Sequence, residues 1–413
     1  MILVAVFLAI LMLSGCYTPF PRRFSGDGLR DHNVMVSVNW AAFDWNELLF
    51  ITPDLTLVHY NESTMSDLER RYIRRGGLID ERFLGKLLDD VVFIDWASGG
   101  QVALTKNSEL WHGSYLQDGD GTHHMSKLAE NVRNVTVGTN AVLAIKTNNE
   151  LWFWPNSQQI AINMRDHAAE AAPIFIMENV AQASASEGHF MVLSDDGQLW
   201  LFTAGPDTWG VPIMEDIEFV STGHSYAMAI DKDGALWSWM LPDWQGGGAN
   251  LYPRKMMENV EWVEVYNSDF LAIKTDGSLW GWGWGFDSDD PIMIYNGGRE
   301  IVEIRYAHAM HPIRHPTPGT LQSTPVVNII KADGSLYVLS PLDAAGFRTY
   351  AYAERTAFTL PPVKKLDNVV FADGGHAVKT DGSLWYIRTE SMLLPPGSVW
   401  TGPILETAVK HSD

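Results

Sequence analysis

Cysteine is nearly absent from this chain of 413 residues: Cys16 is the only one. No disulfide can form within one copy, and no site built from several thiolates is available. Positive charge is scarce as well, with 29 Lys and Arg against 50 Asp and Glu and a net charge of −21. A phosphate backbone is gripped by clustered Lys and Arg, so this balance argues against nucleic acid as a partner. His-Glu-x-x-His, P-loop and nucleophile-motif strings are missing, and no catalytic residue and no cofactor are assigned. What the chain does hold is 46% hydrophobic residues, 17 Trp and 35 Gly. That is enough for a large core, aromatic packing and many tight turns.

The opening MILVAVFLAILMLSGCYTPFPRR sets an unbroken apolar run of 12, Ile2–Leu13, ahead of Ser14-Gly15-Cys16. A helix crossing a bilayer needs about 20 such residues, so the run has signal-peptide length. Leu13-Ser14-Gly15-Cys16 resembles the lipobox of bacterial lipoproteins. The resemblance implies that residues 1–15 are removed and that Cys16 becomes a lipidated N-terminus carrying palmitate or a similar chain. Residues 16–32, with Pro19 and Pro21 among polar neighbours, then read as a tether. The expected location is the cell envelope, on the outer face of the bacterial cytoplasmic membrane. An uncleaved signal anchor with a spectator Cys16 is the other reading.

The string KTDGSLW is written twice, at Lys274–Trp280 and Lys379–Trp385. Weaker copies bring the total to eight, sharing Leu57, Leu110, Leu151, Leu199, Leu236, Leu279, Leu336 and Leu384, about 47 residues apart on average. Asp-Gly between apolar alternating segments predicts a β-hairpin with a two-residue type I′ turn. Asn107-Ser108 and Asn148-Asn149 replace it in two copies, and Pro53-Asp54-Leu55 predicts a different turn in the first. Trp152 and Trp154, Trp237 and Trp239, and Trp280, Trp282 and Trp284 are spaced by two, on one side of a strand. Their recurrence favours packing between units over stacking on sugars. Between hairpins come KLLDDV, KLAENV, IMENV, IMEDI, MMENV and KLDNV: an apolar strand, an acidic or Asn turn, and Val or Ile opening the next unit. About four short strands per unit make a propeller blade.

Gly188-His189, Gly223-His224 and Gly375-His376, an apolar strand and then Asp-Gly-Ser-Leu-Trp resemble the repeats of the regulator of chromosome condensation family. The resemblance covers nearly all of Asn33–Val409, while the family's Trp-Gly-x-Asn-x-x-Gly-Gln continuation survives mainly as Trp282-Gly283. It implies an all-β fold, a single β-propeller of seven to eight four-stranded blades over residues 33–413, with the first and sixth units enlarged by insertions. The chain ends, NVMVSV and PILETAV, are expected to pair and close the ring. The recurring histidines read as scaffold residues that orient backbone.

Trp209 and Trp284 lie past the shared Trp positions and are the candidate ligand-facing aromatics, with Asp287, Asp289 and Asp290 as an acidic rim. His308, His311 and His315 have spacings that could gather imidazoles on zinc, but no fourth ligand is evident, and they read as surface histidines in a proline-rich loop. Asp118–His124, DGDGTHH, resembles the start of a calcium loop, yet has His123 and Ala129 where an EF-hand needs Gly and Glu. Ser66–Arg75 predicts a short helix with Ser66 and Glu69 as a capping box and Arg70, Arg71, Arg74 and Arg75 in solvent or against lipid headgroups.

These features point to a lipid-anchored, monomeric, non-catalytic module binding an envelope or extracellular protein or glycan. Family roles in nucleotide exchange and chromatin binding need partners inside the cell. Inhibition of a secreted enzyme, the role of a secreted relative, fits the compartment. The enzymatic alternative is a propeller polysaccharide lyase or hydrolase, with His189, His224, Glu187 and Tyr226 as its candidate groups.

Overall fold

The protein is seen in a computed structural model. It describes residues 35–405 apart from 41–44, 52–54, 62–83, 98–99, 114–124, 139–140, 156–172, 187, 205–208, 224, 242–249, 267, 284–285, 287, 297–299, 313–320, 340–361, 374–375, 382 and 388–401. Its strands form eight sheets, each of four strands consecutive in the chain and paired antiparallel. Blades 1 to 8 span residues 35–88, 91–129, 132–177, 180–214, 217–257, 260–296, 301–366 and 369–405. First strands of successive blades lie side by side from blade 1 to blade 6 and from blade 7 to blade 8, blades 6 and 7 share a core that includes Trp262, Leu271, Ile301 and Ile304, and the first strand of blade 1, Met35–Trp40, lies beside those of both blade 2 and blade 8. The sheets therefore close into a ring around their first strands: an all-β, eight-bladed propeller.

Closure does not use the pairing of chain ends that the sequence suggested. Gly402–Leu405 pairs with Leu384–Tyr386 as the fourth strand of blade 8, and Met35–Trp40 pairs with Trp45–Ile51 inside blade 1. Each blade is complete in itself, and packing between neighbouring sheets joins them. The second strands show why. Ala141–Lys146, His189–Ser194 and Asp269–Lys274 are buried along nearly their whole length, because a blade covers each face. Third strands alternate: Leu151 and Phe153 face blade 4, where Phe190 stacks on Phe202 at 5.1 Å, while Trp154 faces blade 2. Burying each such side chain contributes about 1.5–3 kcal/mol, so cohesion is spread around the ring.

The hairpin turns differ from the type I′ expected. Gly197 N–H donates to Ser194 O, Ser194 N–H donates to Gln198 O, and Gly197 has φ +92. This is a type I turn closed by one left-handed residue, the three-residue hairpin with a G1 bulge. The same position holds Gly234, Gly277 and Gly334, or Ser108 and Asn149, all at positive φ. Leu55 occupies it too, at φ 67, so the first copy keeps the shared geometry at the position where it was expected to depart. A second left-handed position precedes blades 2 to 6 and blade 8, at Asp90, Asn131, Asn179, Asp216, Asn259 and Asn368. Asn and Asp tolerate this conformation best after Gly, which explains the recurring Asp-Val, Asn-Val and Asp-Ile connectors.

Candidate functional site

An antiparallel meander of four strands puts its connections at two ends. One end carries the turns between second and third strands and the connectors to the next blade, all short. At the other lie the links between first and second and between third and fourth strands. The third-to-fourth links are long in several blades, spanning 62–83, 114–124, 156–173, 340–362 and 387–401. The two are called here the turn end and the loop end.

At the turn end the repeated heptapeptide is consumed by its own blade. Asp276 Oδ1 accepts from Ser278 N at 2.9 Å and Ser278 Oγ at 2.6 Å, and Ser278 Oγ accepts Trp280 Nε1–H at 2.8 Å. Asp381, Ser383 and Trp385 repeat this relay, and Asp333 and Ser335 repeat its first half. Hydrogen bonds from serine hold Asp276, Asp333 and Asp381 below the usual carboxylate range. The lysine lies over the ring, Lys274 at 5.5 Å from Trp280 and Lys379 at 4.6 Å from Trp385. Glu109 and Glu150 take the indole N–H directly where serine is missing, at 3.3 and 3.0 Å. In blade 5 Asp231 takes it at 2.7 Å. Burial pushes the Asp231 carboxyl up, but bonds from Trp237, Ala235 and Asp233 outweigh that and lower it.

The turns also bind the next blade. Ser108, Asn149, Gly197, Gly234 and Gly334 each present the carbonyl that accepts the N–H opening the following blade, at 2.8–3.0 Å. Nearer the axis, Gln182 donates to Val220 O at 2.8 Å and accepts Val220 N–H at 3.1 Å, while Ser184 and Thr222 share a bond of 2.8 Å. Arg133 donates to Asn149 Oδ1 and to the carbonyls of Val180 and Ala181. These inner-strand bridges escaped the sequence reading, because isolated Gln, Ser and Thr residues carry no repeat signal.

The loop end receives the exposed groups. Trp209 is 62% exposed, just ahead of the fourth strand of blade 4. Asp289 is exposed on the fourth strand of blade 6, next to Asp290, which lies 3.8 Å from Arg254 of blade 5. Tyr252, 85% exposed on the fourth strand of blade 5, was not singled out from sequence. Trp284 and Asp287 lie outside the described residues, as do Cys16, residues 1–34, Ser66–Arg75, Asp118–His124 and His315. His308 and His311 are not in a loop: both lie on the strand Ile301–Pro312, opposite Pro325 and Gln322, in a hairpin that belongs to blade 7.

His189 and Tyr226, named as candidate catalytic groups, both lie on second strands. His189 is buried on a second strand, and burial keeps its pKa low. Tyr226 is half-buried edge-on to Phe270 at 5.3 Å. His224 and Glu187 lie outside the described residues. Trp154, Trp239 and Trp282 are buried at 2–3% exposure, so these ladders are core.

No protein-family model matches the chain, and no curated protein matches it. Among solved structures it is similar to Prp20p from Saccharomyces cerevisiae, described for its binding to Gsp1p and histones, at 17% identity over 61% of this chain and 70% of that one, TM-score 0.42. Human WBSCR16 is 14% identical over 70% of this chain and 85% of that one, TM-score 0.47. The computationally designed Ika8 protein is 13% identical over 88% and 100% respectively, TM-score 0.47. The ring itself is defined by the eight sheets and their neighbour order, with one end closed by short bonded turns and the other open to variable links.

Proposed function

We propose that this chain is a non-catalytic binding module that meets an envelope or extracellular protein through its loop end. The observation that carries this reading is the division of labour between the ends. The repeated residues are spent on turns, indole partners and blade-to-blade bonds, while Trp209 and the long third-to-fourth links are left for contact. Binding residues placed on loops over a rigid scaffold are the common arrangement. Cys16 serves as the lipid anchor and residues 16–32 as the tether in this proposal. The chain enters the ring at Met35, at the turn end, so such a tether turns the loop end away from the membrane.

A photo-crosslinking side chain tests this. Placed at Tyr252, towards the loop end, it is expected to give a discrete adduct in cell envelopes, and placed at Asp233, on a turn, none. Adducts from position 233 alone would overturn the assignment. Labelled palmitate is expected on the native chain and not on Cys16→Ser; equal labelling would remove the anchor.

A further inference from the structure

The face that blade 2 turns towards blade 3 holds an ionisable side chain in an apolar setting. His112 is 2% exposed on the third strand Leu110–Gly113, and its Nε2 is buried with no hydrogen-bond partner among the described residues. Register fixes its surroundings. Asp95, Val102, His112 and Ser126 form one cross-strand row, and Val102 belongs to the core shared with blade 3. The same place is held by Phe153 in blade 3, Leu201 in blade 4 and Val338 in blade 7, all buried. Phe153 meets Phe190 of the next blade at 5.4 Å, and the counterpart of Phe190 in blade 3 is Val142. A position that is apolar in three other blades therefore carries an imidazole here.

The charged groups that share this seam are engaged elsewhere. Asp95, two strands away in the same row, accepts Val137 N–H at 3.3 Å. On blade 3, Lys146 lies over Trp152 at 5.0 Å and Glu150 accepts the Trp152 indole N–H, both at the turn end. Arg133 reaches away, to Val180 O and Ala181 O of blade 4. The fourth strand of blade 2 contributes Ser126 and Leu128, while its Lys127 is bound to Glu109 and Glu130. A proton on His112 is thus a buried charge without a bonded counter-ion, costly in the closed seam and easily borne in water. His59 holds the equivalent place in blade 1, but there the matching residue of the next blade is the amide Gln101, where blade 3 has Val142.

We propose that the seam between blades 2 and 3 is an acid-sensitive joint, in which protonation of His112 parts these two blades while the sheets of the ring stay folded. Burial holds the imidazole at a pKa of about 4, against an ordinary value of 6.5 once the seam is open. Above pH 6.5 the group is neutral in both states, and the seam stays closed. Between 6.5 and 4 only the open seam takes the proton, so opening is increasingly favoured as pH falls. Neighbouring seams are joined by uncharged groups: Gln182 and Ser184 bond to Val220 and Thr222, and Ser221 Oγ accepts Val265 N–H at 3.1 Å. They are expected to hold.

Three alanines at one register position report the seams separately. Ala144 lies in the core between blades 2 and 3, Ala229 in that between 4 and 5, and Ala272 in that between 5 and 6, each fully buried. In the full chain carrying Cys16→Ser, Ala144→Cys, Ala229→Cys and Ala272→Cys are made one at a time. Their reaction with a dipyridyl disulfide, which attacks thiols in acid, is timed at pH 7 and pH 4.5. At pH 7 all three are expected to be protected alike. At pH 4.5 Ala144→Cys should react about tenfold faster than the other two, with circular dichroism unchanged. Adding His112→Phe or His112→Leu, the residues of blades 3 and 4, should remove that excess, and if one of these fails to fold the other decides. Equal rates at the three positions at pH 4.5, whether slow or fast, would overturn the proposal. So would an excess as large at pH 7, or one that survives in every folded His112 variant.

Discussion

The turn end and the loop end of this ring are made by the same chain under opposite constraints. At the turn end a left-handed residue recurs from blade to blade, and in blades 2, 3, 5, 6 and 8 a carboxylate or serine takes the indole N–H. At the loop end the links vary in length, and Trp209 stands in solvent. The difference teaches that a repeated motif can mark the part of a protein least available for recognition. Its residues recur because every blade must solve the same closure problem.

Changes that strike the ring should cost stability, and changes at the loop end should cost binding. The largest effect is expected from Trp282→Ala. This side chain is 2% exposed between blades 5 and 6, stacked with Phe270 at 5.4 Å, and its loss should cost about 3–5 kcal/mol in denaturant unfolding. An unchanged midpoint would put the ladder outside the core.

Acid is expected to act next, through His112. Burial lowers its pKa to about 4, whereas the unfolded imidazole titrates near 6.5. Above pH 6.5 the group is neutral in both states and has no effect. As pH falls from 6.5 towards 4, only the unfolded state takes the proton, and stability should drop by about 3 kcal/mol. Blade 3 has Phe153 at the corresponding position, so His112→Phe should flatten that slope in unfolding measured across the range. A slope identical to the native one would show that His112 does not carry it.

Gln182→Ala should cost about 1–3 kcal/mol, because both Val220 N–H and Val220 O lose their partner inside the ring. Trp209→Ala is the smallest expected change in stability, within about 0.5 kcal/mol, yet crosslinking from position 252 should fall. A large loss of stability with crosslinking intact would reverse the roles of the two ends.

Much of the ring was legible in the sequence because repetition multiplies weak signals. Eight recurring leucines announced the blades, and the Asp-Val and Asn-Val connectors marked where most of them begin. What escaped has physical causes. Asp-Gly suits both a type I′ turn and a type I turn with a bulge, and the backbone bonds of Ser194 and Gly197 decide between them. Leu55 gave no sign of a left-handed conformation, since only the surrounding bonds hold it there and its side chain packs against the core shared by blades 1 and 2. Ring closure depends on which sheets are neighbours, and no local pattern encodes that. Exposure was harder still: Trp209 was found because it falls off the repeat, whereas Tyr252 sits in an ordinary strand pattern. Of the candidate binding residues, Trp209 at blade 4 and Asp289 at blade 6 are exposed, and nothing in their spacing announced it.

The most direct test exchanges turn residues without touching the loop end. Blade 3 reads Lys146-Thr147-Asn148-Asn149-Glu150-Leu151-Trp152, and the triple variant Asn148→Asp, Asn149→Gly and Glu150→Ser rewrites it as the sequence of blades 6 and 8. If these residues serve cohesion alone, partner crosslinking from position 252 in the variant will equal that of the native chain. A tenfold loss of crosslinking in a variant that remains folded would place recognition at the turn end and contradict the account.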